Sequence, residues 1–428
     1  MKTYDIPYST RLIPVRLPEE QVDFTGELTP AVLPQNWKGD LLRLLDDPTA
    51  GPGLKTMLRP DQHIVVLVED NTRHTPVREI LPILCDYLTA QGCSLEQVEL
   101  LVAPGTHRIL TEEELLEKLG PMAVEKLKIS QHDYRDRDCL VRLEEVSIAG
   151  MTIPVTVNRI AVEADLLIGI GNIIPHPNAG YSGGAKILCP GCCGPETVSA
   201  MHTACALMGY LPLGMKENAC RDSLEKVAAA AGLDFLINVV LDEENRVAGV
   251  VTGDFIRAHR AGADMARDVF GVPIRAEADI LISCSFPYDI DFWQCEKAMI
   301  AGYFALKQGG TLILPAPCLE GLAHNHDELL DWMELPSEAA ARRIRHIFET
   351  GGEGDLVAAA IALGSLLVKE KAGSVFIYTE GLEKGQTDRM GYRLFDSLQA
   401  AVDAALAEKP QGRIGILPRA GDCLPYVI

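Results

Sequence analysis

Three of the ten histidines in this chain stand where a short apolar run gives way to glycine, proline or aspartate: His107 in Pro104-Gly105-Thr106-His107-Arg108, His132 in Gln131-His132-Asp133, and His176 in Pro175-His176-Pro177. One imidazole at such a place is structural more often than not. Three converging on one end of a sheet point to proton transfer, because an unperturbed imidazole titrates near pH ~6.5. Another run ends in Glu69, Asp70, Asn71, Thr72 and Arg73, which adds an acid, a hydroxyl and a guanidinium suited to a carboxylate.

The segment 169–202 carries the most chemistry. Gly180, Gly183 and Gly184 let the backbone before Lys186 approach a ligand and offer bare N–H groups to an anion. No Gly-Lys-Ser/Thr follows at the spacing of a P-loop. Small residues before Lys186 and Ile187-Leu188 after it predict a partly desolvated amine with a lowered pKa, suited to covalent chemistry. Cys189-x-x-Cys192-Cys193 is half a zinc site without a second half, so structural zinc is not expected. His324-Asn325-His326-Asp327 reads as a solvated helix start capped by Asp327 or Asn325 rather than as a metal site. Gln294 and Lys297, three apart on one helix face, form a plausible carboxylate receptor, although alone they read as ordinary surface residues. Trp293 and Tyr181 are either pocket walls or core.

The elements that must position these residues are continuous apolar runs alternating with helical patterns. They include HIVVLVED (63–70), VELLVAPGTH (98–107), LKIS (127–130), ADLLIGIGN (164–172), ADILISCS (278–285), GTLILPAP (310–317), SVFIYTEG (374–381) and RIGILPRA (413–420). Such runs are what buried parallel strands with crossover helices look like, and ligands then sit beyond the carboxyl ends of the strands. The fold class is α/β, with two domains of mainly parallel sheet flanked by helices and an active site in the cleft between them. Gly271-Val272-Pro273 places the boundary near 266–277, giving an N-terminal domain 1–266 and a C-terminal domain 277–408.

Composition removes several classes. With 39 Lys+Arg against 60 Asp+Glu, the net charge is −21 and the pI near 4.9. That balance argues against nucleic acid and anionic membranes as partners. The N-terminus has no apolar leader and no run approaches a membrane span, so the expected compartment is the cytoplasm. The twelve cysteines are scattered apart from one cluster, and reduced thiols are expected there.

Taken together and in order, DNTRHTP (70–76), GTHR (105–108), HD (132–133), PHPNAGYSGGAK (175–186), His202 and QCEK (294–297) resemble the lactate racemase family, the enzymes dependent on a nickel-pincer nucleotide. The most specific part is PHxxAGxSGGAK with a histidine sixteen residues after the lysine. The resemblance implies a racemase or epimerase that inverts C2 of a 2-hydroxy acid by reversible hydride transfer. It implies a pyridinium mononucleotide joined to Lys186 through a thioamide, with nickel held by the cofactor and by His202. Ser182, Gly183 and Gly184 then belong to the cofactor loop, with Asp70 and Thr72 nearby. His107 and His176 are the implied acid/base pair, and Arg73, Gln294 and Lys297 the implied carboxylate contacts. Cofactor-assembly enzymes are implied partners, and the tail 409–428 is expected to pack back on the first domain. His74 departs from the proline expected after the arginine.

The residues agree with that chemistry. The α-hydrogen of a hydroxy carboxylate is a poor acid, and its removal as hydride with a base for the hydroxyl avoids a carbanion. Two rival readings remain. An NAD-dependent 2-hydroxy acid dehydrogenase would need Gly-x-Gly-x-x-Gly, and GIGNII lacks the last glycine. A non-catalytic binding protein of the same fold would not need two proton-transfer groups. Lactate, malate, longer hydroxy acids and sugar acids are not distinguished.

Overall fold

The computed structural model describes residues 1–148, 151–324 and 326–428. Two six-stranded sheets form its frame. The first has the order Val247–Gly253, Leu233–Leu241, Leu166–Asn172, Ile64–Val68, Val98–Val102, Lys128–Gln131. All its pairings are parallel except that of Val247–Gly253. Ile64–Val68 and Leu166–Asn172 are buried along their whole length, as strands covered on both faces must be.

From Ile64–Val68 the chain winds outward in one direction through Val98–Val102 and Lys128–Gln131. It then crosses back to place Leu166–Asn172 on the other side. This is a topological switch point, where the carboxyl ends of adjacent strands open a crevice. The segments carrying Asp70, His107 and His176 all leave the sheet at that edge.

The second sheet is wholly parallel, in the order Arg393–Leu394, Ser374–Tyr378, Leu306–Pro315, Ala278–Ser283, Ile414–Leu417, Val22–Thr25. Here the termini depart from expectation. Ile414–Leu417 lies between Ala278–Ser283 and Val22–Thr25, so the tail completes the second sheet instead of returning to the first. The N-terminal hairpin Lys2–Tyr8/Arg11–Leu17 buries Ile6, Val15 and Leu17 against the same sheet, on Ile280, Ile414 and Ile416. Both terminal segments are apolar on the face that covers an otherwise bare sheet surface, and that burial decides their place.

Helix Arg257–Phe270 and strand Gly271–Ile274 join the two halves, and one core runs across the junction from Ile173 and Tyr181 to Phe292 and Leu314. Helix Leu356–Lys371 of the second half packs on helix Pro195–Ala206 of the first. The cysteine reading also needs correction, since Cys205 and Cys220 form a disulfide. The turn between helices Pro195–Ala206 and Ala219–Ala230 brings their Cα atoms to 4.7 Å. Among the described residues no helix is long and apolar enough to cross a membrane.

Candidate active site

The loop before Lys186 is fixed from behind. Gly183 and Gly184 have φ of 70° and 60°, and a Cβ at either would come within 2.7 Å of Asn172 O or 2.8 Å of the His259 ring. Gly184 N donates to Asn238 Oδ1 (2.8 Å), and His259 Nε2 donates to Ser182 O (2.9 Å). The buried guanidinium of Arg221 donates to the carbonyls of Gly183 (3.0 Å) and Tyr181. Ser182 Oγ donates to Asn172 O and accepts from Ile174 N, both at 2.9 Å. Its hydroxyl therefore shapes the loop.

So held, Lys186 Nζ meets His176 Nε2 at 3.0 Å. The other ring nitrogen, Nδ1, accepts from Asn178 N and Ala179 N (3.2 and 3.3 Å). The proton of a neutral His176 is then on Nε2 and points at Lys186, which must accept it as an uncharged amine. Electrostatics agree. Burial, then the positive charges of Arg73 and Arg221, push Lys186 down to about 7. Burial, with Lys186, Arg73 and Lys297 nearby, drives His176 well below the ordinary imidazole range.

His107 stands on the adjoining strand end, with Nδ1 donating to Asp70 Oδ2 at 2.7 Å. The Thr72 hydroxyl donates to the other oxygen of Asp70 at 2.6 Å. Burial opposes ionisation of Asp70, but the His107 and Thr72 bonds outweigh it and hold the carboxyl below its ordinary value. His107 thus presents Nε2 outward, its side chain half exposed. Arg73 follows on the same loop, which Lys118 grips through Arg73 O at 2.6 Å. One neighbouring cation drops out of the cleft, and one sequence reading changes. Arg108 is neutralised by Glu114 at 2.7 and 2.5 Å and adds no free positive charge to the cleft. His132 is fully buried between Cys193 O and Asn158 Nδ2, both at 3.1 Å, and is structural.

The second half contributes helix Phe292–Ala305, capped by Asp291. Lys297 Nζ donates to Gln294 Oε1 (2.8 Å) and lies 3.5 Å from the centre of the Tyr288 ring. Burial and then Arg73 push Lys297 down to about 7. The Arg73 charge therefore acts on both Lys186 and Lys297, across the two halves, and Lys297 adds to it at Lys186. An anion bound among them offsets those charges.

His202, on helix Pro195–Ala206, donates from Nδ1 to Val198 O at 2.8 Å and is pushed down to about 4, mainly by burial. Its Nε2 keeps a lone pair, the state a metal ligand requires. Among the described residues no group of three or more His, Cys, Asp or Glu could hold a metal by side chains alone. A metal at His202 would draw its other ligands from a separate group, and the uncharged amine of Lys186 is suited to tethering one. The residues fit a lysine-bound, metal-bearing cofactor.

Comparison with known proteins now decides the family. The model of the lactate racemase N-terminal domain matches residues 8–209, which include every first-half residue named above up to His202. Lactate racemase of Lactiplantibacillus plantarum is 32% identical over 354 residues, covering 79% of this chain and 81% of that one. The chain belongs to the lactate racemase family. Lactate racemase of Thermoanaerobacterium thermosaccharolyticum is 30% identical, with 78% of each chain covered. The structure of the lactate racemase apoprotein from that organism superposes with a TM-score of 0.85 at 25% identity, covering 99% of this chain and 100% of that one.

Several residues of this lactate racemase-like site carry no sequence signal. Arg221, Asn238 and His259 act through backbone groups of the SGGAK loop from 35 or more residues away. Lys118 does the same for the Arg73 loop. In the second half, His326 Nδ1 bonds Asp355 Oδ2 at 2.6 Å, and its ring stacks on Trp293 at 4.1 Å. The capping expected of Asp327 is not seen, since helix Leu329–Met333 has Glu328 at its N-cap; Asn325 lies outside the described residues. Tyr181 is core, 1% exposed.

Proposed function

We propose that the protein racemises or epimerises a 2-hydroxy carboxylic acid at C2 by hydride transfer, with His107 and His176 as its acid/base pair. The 3.0 Å contact of Lys186 with His176 inside the cationic cleft carries this reading. Arg73 and Lys297 hold the substrate carboxylate, a bidentate guanidinium on one side and an ammonium on the other, and Gln294 sets the ammonium. That anion restores charge to Lys297 and fixes C2 between the two strand ends. The hydroxyl of one enantiomer faces one histidine and that of its mirror image the other. The Nε2 proton that His176 directs at the free Lys186 amine belongs to the unloaded protein. Once Lys186 is joined to the cofactor, His176 Nε2 exchanges a proton with the hydroxyl as His107 Nε2 does. Asp70 keeps the His107 proton on Nδ1 and leaves Nε2 to do this.

A nickel-pincer nucleotide joined to Lys186 and held by His202 supplies the hydride acceptor when bound. Asp70, Thr72, Gly183 and Gly184 border its place, with Ser182 acting through the loop. Cofactor-assembly enzymes are the partners this requires, and a cytoplasmic location suits them. An NAD-dependent dehydrogenase has no support from the loop, whose glycines precede a lysine rather than opening a long helix.

Enantiopure 2-hydroxy acids incubated with protein made alongside the assembly enzymes, and read by chiral chromatography, test this. At least one acid should become a mixture at C2. Activity should vanish in Lys186→Ala and fall on the order of 100-fold or more in His107→Ala and His176→Ala. Full racemisation by both histidine variants would end the two-base reading.

A further inference from the structure

We propose that His326 reads the C3 substituent of the substrate, and that it selects a hydroxyl there, so that the preferred substrates are 2,3-dihydroxy carboxylates. This rests on the racemase reading above.

Position comes first. The His326 ring lies flat on Trp293, with centroids 4.1 Å apart and 12° between planes. Trp293 immediately precedes Gln294, the partner of Lys297. On its other side, Asp355 caps helix Leu356–Lys371, which packs on helix Pro195–Ala206, the helix that carries His202. The imidazole is thus tied on one side to the helix of Gln294 and Lys297 and on the other to the helix that packs on that of His202, and on the racemase reading the carbon next to C2 extends toward it.

Orientation comes second. Nδ1 faces Asp355 Oδ2 at 2.6 Å, and the other oxygen of Asp355 accepts from Val357 N and Ala358 N at the start of helix Leu356–Lys371. A carboxylate only accepts, so the ring proton is on Nδ1 and Nε2 offers a lone pair. Nε2 makes no protein hydrogen bond among the described residues, and the side chain keeps 26% exposure.

The chemistry follows. A methyl at C3 leaves that lone pair unpaired, which costs free energy once water is displaced. A second carboxylate brings no donor and is repelled by Asp355. A hydroxyl donates to Nε2 and satisfies it. The stack on Trp293 and the bond to Asp355 hold the acceptor in one plane, which a specificity contact requires.

The test compares cofactor-loaded wild type with His326→Phe, which keeps the stack, and His326→Gln, which keeps an acceptor. Glycerate, lactate and malate serve as substrates for kcat/KM and as ligands for calorimetry. Wild type should favour glycerate over lactate at least tenfold, His326→Phe should reduce that ratio at least tenfold, and His326→Gln should restore part of it. A ratio that His326→Phe leaves unchanged, including equal losses on both acids, overturns the proposal, as does a preference for malate. If loaded wild type inverts none of the three acids, the racemase reading fails instead. The calorimetric preference for glycerate and its loss in His326→Phe then decide the His326 contact separately, and absence of that difference overturns it.

Discussion

Lys186 and His176 impose protonation states on each other. Two backbone N–H groups fix the imidazole proton on Nε2, and a charged lysine 3.0 Å away would face it donor to donor. Replacing Lys186 by Met removes the amine whose protonation below about pH 7 would set a positive charge beside His176, so the His176 pKa should rise in an NMR titration of the unloaded protein. An unchanged value would mean that burial alone sets it. The meeting of His176 with Lys186 and the pairing of His107 with Asp70 were foreshadowed in the sequence, because glycine and proline at a strand end mark where the backbone turns into the crevice. His132 had the same setting, yet it is walled in by Cys193 and Asn158, and no single-sequence pattern separates the two outcomes.

At the scale of elements, the SGGAK loop is a short irregular segment with two left-handed glycines, and side chains from distant helices hold it in place. Arg221 has the largest part, since it satisfies buried carbonyls of Tyr181 and Gly183. Arg221→Met should destabilise the protein by about 2–4 kcal/mol in urea denaturation and reduce cofactor attachment at Lys186. Stability and attachment equal to wild type would show that the glycines alone define the loop. This backing was not legible. A guanidinium on a helix that reaches a backbone carbonyl leaves no spacing between functional residue types. The strands, in contrast, announced themselves as continuous Val/Ile/Leu runs, because burial on both faces allows little else.

Across the whole molecule, the net charge of −21 hides a cleft in which the Arg73 charge weighs on both Lys186 and Lys297. Both lysines are pushed from the ordinary 10.5 to about 7. Between those values the unfolded chain binds more protons than the folded one, so this contribution makes stability rise with pH from about 7 to 10.5. The double variant Lys186→Met/Lys297→Met should therefore exceed unloaded wild type in stability at pH 6, by roughly 2 kcal/mol per lysine after allowing for cleft water. The advantage should shrink as pH approaches 10; a gain independent of pH would contradict the account. The α/β class and the meeting of the two halves were legible, but the route of the termini was not. Strands Val22–Thr25 and Ile414–Leu417 are short, and only the bare edge and face of the second sheet select their position. The central claim is that C2 is inverted by hydride returning to the carbon it left. Cofactor-loaded protein given an enantiopure 2-hydroxy acid deuterated at C2, in ordinary water, tests this by NMR and chiral separation of the product. The inverted acid should keep its deuterium, and replacement of that deuterium by solvent hydrogen during inversion would contradict the account.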